Sequence, residues 1–231
     1  EQPVVLPRIL LASLLLLASA AQAETVAIIG TGNVGMALGT EFGGLGHTVI
    51  YGSRSPDSEK TQALVARTEN ASAALPAEAA ARADVIVLAV PGMATESVAG
   101  ALPDLSDKII IDATNPLIFT GSPPTVIYGT DRSLGEIVQE AHPGAFVVKA
   151  FNTIPWQRMI DPPDPAPVIP IAGENMAAKK QVAEWVRAMG IDSVDVGGIY
   201  HARATEFIVV MMLNNNFSGT EKFDVVFKRR D

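Results

Sequence analysis

The run Val26-Ala-Ile-Ile29 followed at once by Gly30-Thr31-Gly32-Asn33-Val34-Gly35 restricts the fold of this chain more than any other feature. Four apolar residues rich in β-branched side chains read as a strand buried on both faces. Gly30 then permits a tight turn, Gly32 lets a pyrophosphate approach the backbone, and Gly35 lets the following helix pack against the strand. That helix is predicted over Val34 to Leu45. Its free N–H groups and the positive end of its dipole attract an anion. A glycine pattern alone is common, but one set between a strand and a helix points to a dinucleotide.

The second strand ends in Val49-Ile-Tyr-Gly52-Ser53-Arg54. A site that prefers NAD usually places an acid here, about 20 residues after the glycines, to hold the ribose 2′-hydroxyl. This corner offers a hydroxyl and a guanidinium instead, groups that form charge-assisted hydrogen bonds to a 2′-phosphate. Ser53 and Arg54 therefore indicate NADP, with Lys60 as a second positive charge if the loop folds back.

Downstream, strand and helix signals alternate as a doubly wound sheet requires. Helices are predicted over Asp57 to Arg67, Ala71 to Arg82 and Thr95 to Ala101. Strands are predicted at Ala83 to Val90, Lys108 to Asp112 and Ala145 to Ala150. Ser133 with Glu136 reads as a capping box for a helix ending at Ala141. Ligands of such sheets lie beyond the carboxyl ends of the strands, so the loops at Val90-Pro91, Thr114-Asn115 and Asn152-Thr153 should line one cleft. Asp112 is expected to be satisfied by the loop that follows it.

Between Asp161 and Pro170 five prolines disfavour helix and central strand, which predicts a surface connection. Beyond it come a strand at Ile169 to Ala172, an amphipathic helix from Ala177 to Met189, a short strand at Val194 to Val196 and a last helix from Tyr200 to Leu213. Phe207, Val210, Met211 and Leu213 form an apolar stripe on that helix, read as core or as the contact of a homodimer. The fold expected is α/β, Rossmann-type and doubly wound, with a mainly parallel sheet and a small C-terminal α/β extension. The boundaries drawn are residues 24–155 for the NADP-binding domain and 156–231 for a small lobe with a polar tail.

With 231 residues, a net charge of −8 and 48% hydrophobic residues, the chain suits a compact enzyme. Its acidity repels nucleic-acid phosphates, so nucleic acid is not an expected partner. The absence of cysteine removes disulfides, a thiolate nucleophile and cysteine-based zinc sites. His47 is expected to cap a helix exit and His142 to sit in a turn, and neither has metal-ligand spacing, so no metal is expected. Arg8, the apolar run from Ile9 to Ala20 and the small residues Ala21-Gln22-Ala23 resemble a secretory signal peptide over residues 1–23. That run is shorter than the roughly 20 residues of a stable membrane span. The expectation is a periplasmic or secreted protein. A mis-called start would make it cytoplasmic.

Gly30-Thr-Gly-Asn-Val-Gly35, Gly46-His47, Gly52-Ser-Arg54, Val87-Leu-Ala-Val-Pro91, Asp112-Ala-Thr-Asn-Pro-Leu117, Lys149-Ala-Phe-Asn-Thr-Ile154, Ile171-Ala-Gly173 and Asp195-Val-Gly197 with Ala202-Arg203 stand together. In these motifs the chain resembles the NADPH-dependent reductases of the deazaflavin coenzyme F-420, a family also similar to the cytosolic oxidoreductase domain of mammalian six-transmembrane ferric reductases. The resemblance spans Thr25 to about Asn214. It implies hydride exchange between NADP(H) and a small-molecule redox acceptor, a deazaflavin or flavin-like ring, with the protein orienting both and supplying no catalytic acid or base. On the family's pattern Thr31, Asn33 and Val34 join the glycines at the pyrophosphate. Val90 and Pro91 pack along the adenosine or ribose, and Asn115, Asn152, Thr153 and Ile154 border the nicotinamide and the second ring. Some of these reductases carry histidine where this chain has Asn152. A module that binds NADP without turnover is the alternative from another functional class.

Overall fold

The computed structural model describes residues 23–119, 121, 124–218 and 225–228, without the side chains of 214–218. Strands β1 (Thr25–Ile29), β2 (Thr48–Gly52), β3 (Ala71–Ala74), β4 (Val85–Leu88) and β5 (Ile109–Asp112) come first. A small antiparallel hairpin of β6 (Leu117–Ile118) and β7 (Thr125–Val126) follows, and then β8 (Phe146–Lys149). The six longer strands form one parallel sheet in the order β3-β2-β1-β4-β5-β8. Strand order reverses direction beside β1, which opens a crevice above the carboxyl ends of β1 and β4.

Alternation along β1 assigns its side chains to two cores. Val26 and Ile28 pack with Leu38 and Phe42 of α1 (Asn33–Gly44) on one face. Ala27 and Ile29 pack on the other with Ala79 and Ala80 of α3 (Pro76–Arg82), Ala99 of α4 (Gly92–Gly100) and Val138 of α5 (Leu134–Ala141). Each buried aliphatic side chain contributes about 1.5–3 kcal/mol, so a sheet covered on both sides is the stable outcome of this sequence. The helix α2 (Glu59–Arg67) starts at Ser58, whose hydroxyl accepts the Thr61 N–H.

After β8 come α6 (Trp156–Ile160), β9 (Val168–Ile171), α7 (Met176–Ala188), β10 (Asp192–Asp195) and α8 (Ala202–Ser218). Trp185 and Val186 of α7 lie in the same core as Val26 and Ile28. The parallel pair β9 and β10 is tied to β8 by a bridge between Lys149 and Ala172.

Two expectations need correction. Ala71 to Arg82 is not one helix, because Ala71–Ala74 pairs with β2 as an edge strand and α3 begins at Pro76, a residue suited to the first helical turn. The proline-rich segment does not stay a connection to its end, since Pro170 lies within β9 opposite Val194. His47 closes the exit of α1 as expected, its backbone N–H donating to the Phe42 carbonyl at 3.1 Å after the left-handed Gly46, while its ring is buried edge-on to Phe42 and Trp185 and its Nδ1 accepts the Glu24 N–H at 3.0 Å. Burial lowers its pKa, in keeping with a neutral ring.

Candidate functional site

A cavity of about 620 Å³ lies at the crevice and is lined by Gly30, Thr31 and Gly32 after β1, Ser53 and Arg54 after β2, and Val90 and Pro91 after β4. The chain adopts φ +118° at Gly30, and a Cβ there would run into the Ala89 carbonyl. A Cβ at Gly35 would strike the Gly30 carbonyl, so α1 can start close to the strand only through glycine. Nothing lies within 4 Å of the position a Cβ would take at Gly32. That open space sits at the N-cap of α1, where Asn33, Val34 and Gly35 make the first turn. A diphosphate can therefore meet the helix N–H groups without a side chain between them.

At the far end, the Ser53 hydroxyl contacts Thr61 Oγ1 at 3.1 Å and accepts the Ser55 N–H at 3.1 Å. Ser58 Oγ and Thr61 Oγ1 both donate to the Ser55 carbonyl. These bonds hold the loop in place while the Arg54 side chain stays exposed, with no carboxylate partner among the described residues. Lys60 reaches the same cavity, together with Ser55, Ser58 and Pro76. Hydroxyls, an open guanidinium and an ammonium at one corner suit a phosphate monoester. Ser55 and Ser58 were not among the sequence candidates, although Ser58 with Thr61 three residues on has the form of a helix start.

Asn115, Asn152, Thr153 and Ile154 lie beyond this cavity, at the carboxyl ends of β5 and β8. The two asparagines hold each other: Asn115 Nδ2 donates to the Asn152 carbonyl at 2.9 Å, and Asn152 Nδ2 donates to Asn115 Oδ1 at 3.1 Å. Asn152 is buried, Thr153 half-buried and Ile154 buried. Of the three loops expected to line one cleft, the cavity takes in only Val90-Pro91, and the asparagines stand outside it at the ends of β5 and β8.

Behind the asparagines is a charge cluster that sequence reading missed. Lys149 Nζ, fully buried, lies 2.9 Å from Asp112 Oδ2 and 2.6 Å from Glu206 Oε1. Burial would lower the Lys149 pKa, but the two carboxylates outweigh it and hold the group charged. Burial pushes the Glu206 carboxyl up. Two acids against one base leave excess negative charge, and the start of α5 offsets it: the Leu134 and Gly135 N–H groups donate to Glu206. Asp112 Oδ1 accepts from the N–H and hydroxyl of Thr114, as expected of the following loop. Lys149 opens the run Lys149-Ala-Phe-Asn-Thr-Ile154, but nothing in the sequence pairs it with Glu206, 57 positions away.

Among the described residues no group of His, Cys, Asp and Glu could hold a metal ion. The sequence profile of the family described as "NADP oxidoreductase coenzyme F420-dependent" matches residues 25–116. An F420-dependent NADP reductase from Methanothermobacter thermautotrophicus is 30% identical over 206 residues, covering 83% of this chain and 88% of that protein. The chain belongs to this family. A crystal structure from Arthrobacter sp., presented as a candidate F420-dependent NADP reductase, superposes with a TM-score of 0.79 at 29% identity, covering 89% of this chain and 100% of that one. The rat metalloreductase STEAP3 is 31% identical over 193 residues, which is 83% of this chain and only 38% of that protein's length. These relatives make the chain an NADP-dependent oxidoreductase of Rossmann type.

Proposed function

We propose that this member of the family passes a hydride between NADP(H) and a deazaflavin, coenzyme F-420, or a flavin-like acceptor. The observation that carries the NADP half is the Ser53–Arg54 corner sharing one cavity with the glycine turn. The deazaflavin half is supported by the names of the archaeal reductases in the family. Bound NADP(H) supplies the hydride chemistry. The protein's own residues bind, orient and exclude water.

On this reading Gly30, Thr31, Gly32, Asn33, Val34 and Gly35 hold the pyrophosphate, and Ser53 with Arg54 holds the 2′-phosphate. Val90 and Pro91 flank the adenosine side. Asn115, Asn152, Thr153 and Ile154 border the two rings. The test is stopped-flow absorbance of purified protein with NADPH and the deazaflavin. Rapid reduction of the deazaflavin is expected. Tight NADPH binding without turnover of any deazaflavin, flavin or ferric chelate would leave the non-catalytic binding module instead.

Two further expectations stay with this reading. Export of the mature chain from Glu24 onward is proposed from the signal-like segment, and N-terminal sequencing of protein from a fractionated host tests it. A homodimer through α8 is supported by the exposure of Phe207 and Met211, whereas Val210 of the same stripe is buried against Leu117. No helix among the described residues is long and apolar enough to cross a membrane.

A further inference from the structure

The buried cluster behind the asparagines is costly to build and poorly suited to stability alone. Taking three charges out of water is expensive, and apolar residues of similar volume often serve the fold as well or better. What such a cluster does supply is direction. Thr114 is held at each of its polar groups: Asp112 Oδ1 takes its N–H at 2.9 Å and its hydroxyl at 2.6 Å, and Lys149 Nζ donates to its carbonyl at 2.6 Å. The next residue is Asn115. On the other side, Lys149 stands three residues before Asn152, and Thr205, beside Glu206 on α8, takes an N–H from Asn152 at 3.5 Å. Both partners of the asparagine pair are therefore anchored to the same ammonium.

The asparagine pair also leaves one group unused. Asn152 Oδ1 is buried and has no hydrogen-bond partner within the protein. Its orientation follows from the pairing, because Asn115 Nδ2 is spent on the Asn152 carbonyl and Asn115 Oδ1 therefore requires the Asn152 amide nitrogen. A buried amide oxygen without a donor is unfavourable. An amide or ring N–H of a ligand placed at the strand ends would satisfy it.

We propose that Asp112, Lys149, Glu206 and Thr114 are positioning residues: they fix the Asn115–Asn152 pair so that Asn152 Oδ1 accepts an N–H from the nicotinamide carboxamide. This rests on the reading above that places the nicotinamide beside these asparagines. The four residues touch neither cofactor nor acceptor themselves.

The experiment uses the full chain and two ligands. Binding of 2′,5′-ADP, measured by calorimetry, reports the phosphate corner. The fluorescence lifetime of bound NADPH reports the nicotinamide surroundings. Thr114→Val removes one hydroxyl at constant shape, Thr114→Ser restores it, Lys149→Met removes the anchor, and Asn152→Ala removes the acceptor directly. In Asn152→Ala, Thr114→Val and Lys149→Met the lifetime should move at least about halfway to that of free NADPH, while 2′,5′-ADP affinity stays within about twofold. Thr114→Ser should restore the wild-type lifetime. If Lys149→Met does not fold, Thr114→Val decides. A lifetime unchanged in Thr114→Val but shifted in Asn152→Ala would overturn the positioning role and leave the placement of the ring intact. A lifetime unchanged in Asn152→Ala as well would overturn both.

Discussion

Arg54 meets solvent at the mouth of the cavity without a carboxylate to neutralise it, beside a serine that its own loop has already oriented. A charge-assisted hydrogen bond to a phosphate contributes about 1.5–3 kcal/mol, which converts to roughly ten- to a hundredfold in affinity. Arg54→Ala should raise the KM for NADPH by that factor and change the KM for NADH less than about twofold, as steady-state kinetics with both cofactors would show. Gly30→Ala should fail earlier in the chain of causes. Its backbone is left-handed and its Cβ position is filled by the Ala89 carbonyl. Loss of at least about 2 kcal/mol in urea unfolding is expected, since strain and overpacking add. Both residues were legible in the sequence because their roles are local. Lys149 was not, because its meaning depends on Glu206, which arrives from a helix at the other end of the chain.

At the scale of elements, α5 is held at its start by two capping systems. Ser133 Oγ accepts the Glu136 N–H at 3.2 Å, and Glu206 takes the Leu134 and Gly135 N–H groups. Ser133→Ala should cost about 1 kcal/mol, read from the denaturation midpoint. Glu136 in turn pairs with Arg203 of α8 at 2.6 Å. Burial would raise the Glu136 pKa, but Arg203 and Ser133 outweigh it and set it below the ordinary carboxylate value of 4.5. A carboxylate depressed in the folded state stabilises above its unfolded pKa and loses that contribution as pH falls through the folded one. Stability should therefore decline as the pH is lowered from just above 4.5, and Glu136→Gln should flatten that decline in pH-dependent thermal melts. The Ser133 cap of α5 was readable from Ser133 and Glu136 alone. Ala71 to Ala74 was not, because alanine favours a helix and only the unpaired edge of β2 makes this segment a strand. The hairpin of β6 and β7 has two residues in each strand, too short for a period to show.

Over the whole molecule, the cofactor crevice and the C-terminal elements share one core. Trp185 of α7 packs edge-on against Phe42 of α1, in the same cluster as Val26 and Ile28. The segments should unfold together, so circular dichroism and tryptophan fluorescence should give coincident transitions. Trp185→Ala should lower both by about 3–5 kcal/mol. Alternating strands and helices made the doubly wound sheet legible, since each signal is local and the connection rules allow few topologies. The acceptor was not legible, because its ring would meet side chains from β5, β8 and their loops, which no single motif brings together. The most direct test of hydride transfer is the rate at which purified protein reduces coenzyme F-420 with NADPH and with NADH. Fast reduction by NADPH, slow reduction by NADH and loss of that preference in Arg54→Ala are the predicted result. Equal rates with the two cofactors, or no reduction of the deazaflavin while NADPH is bound, would contradict it.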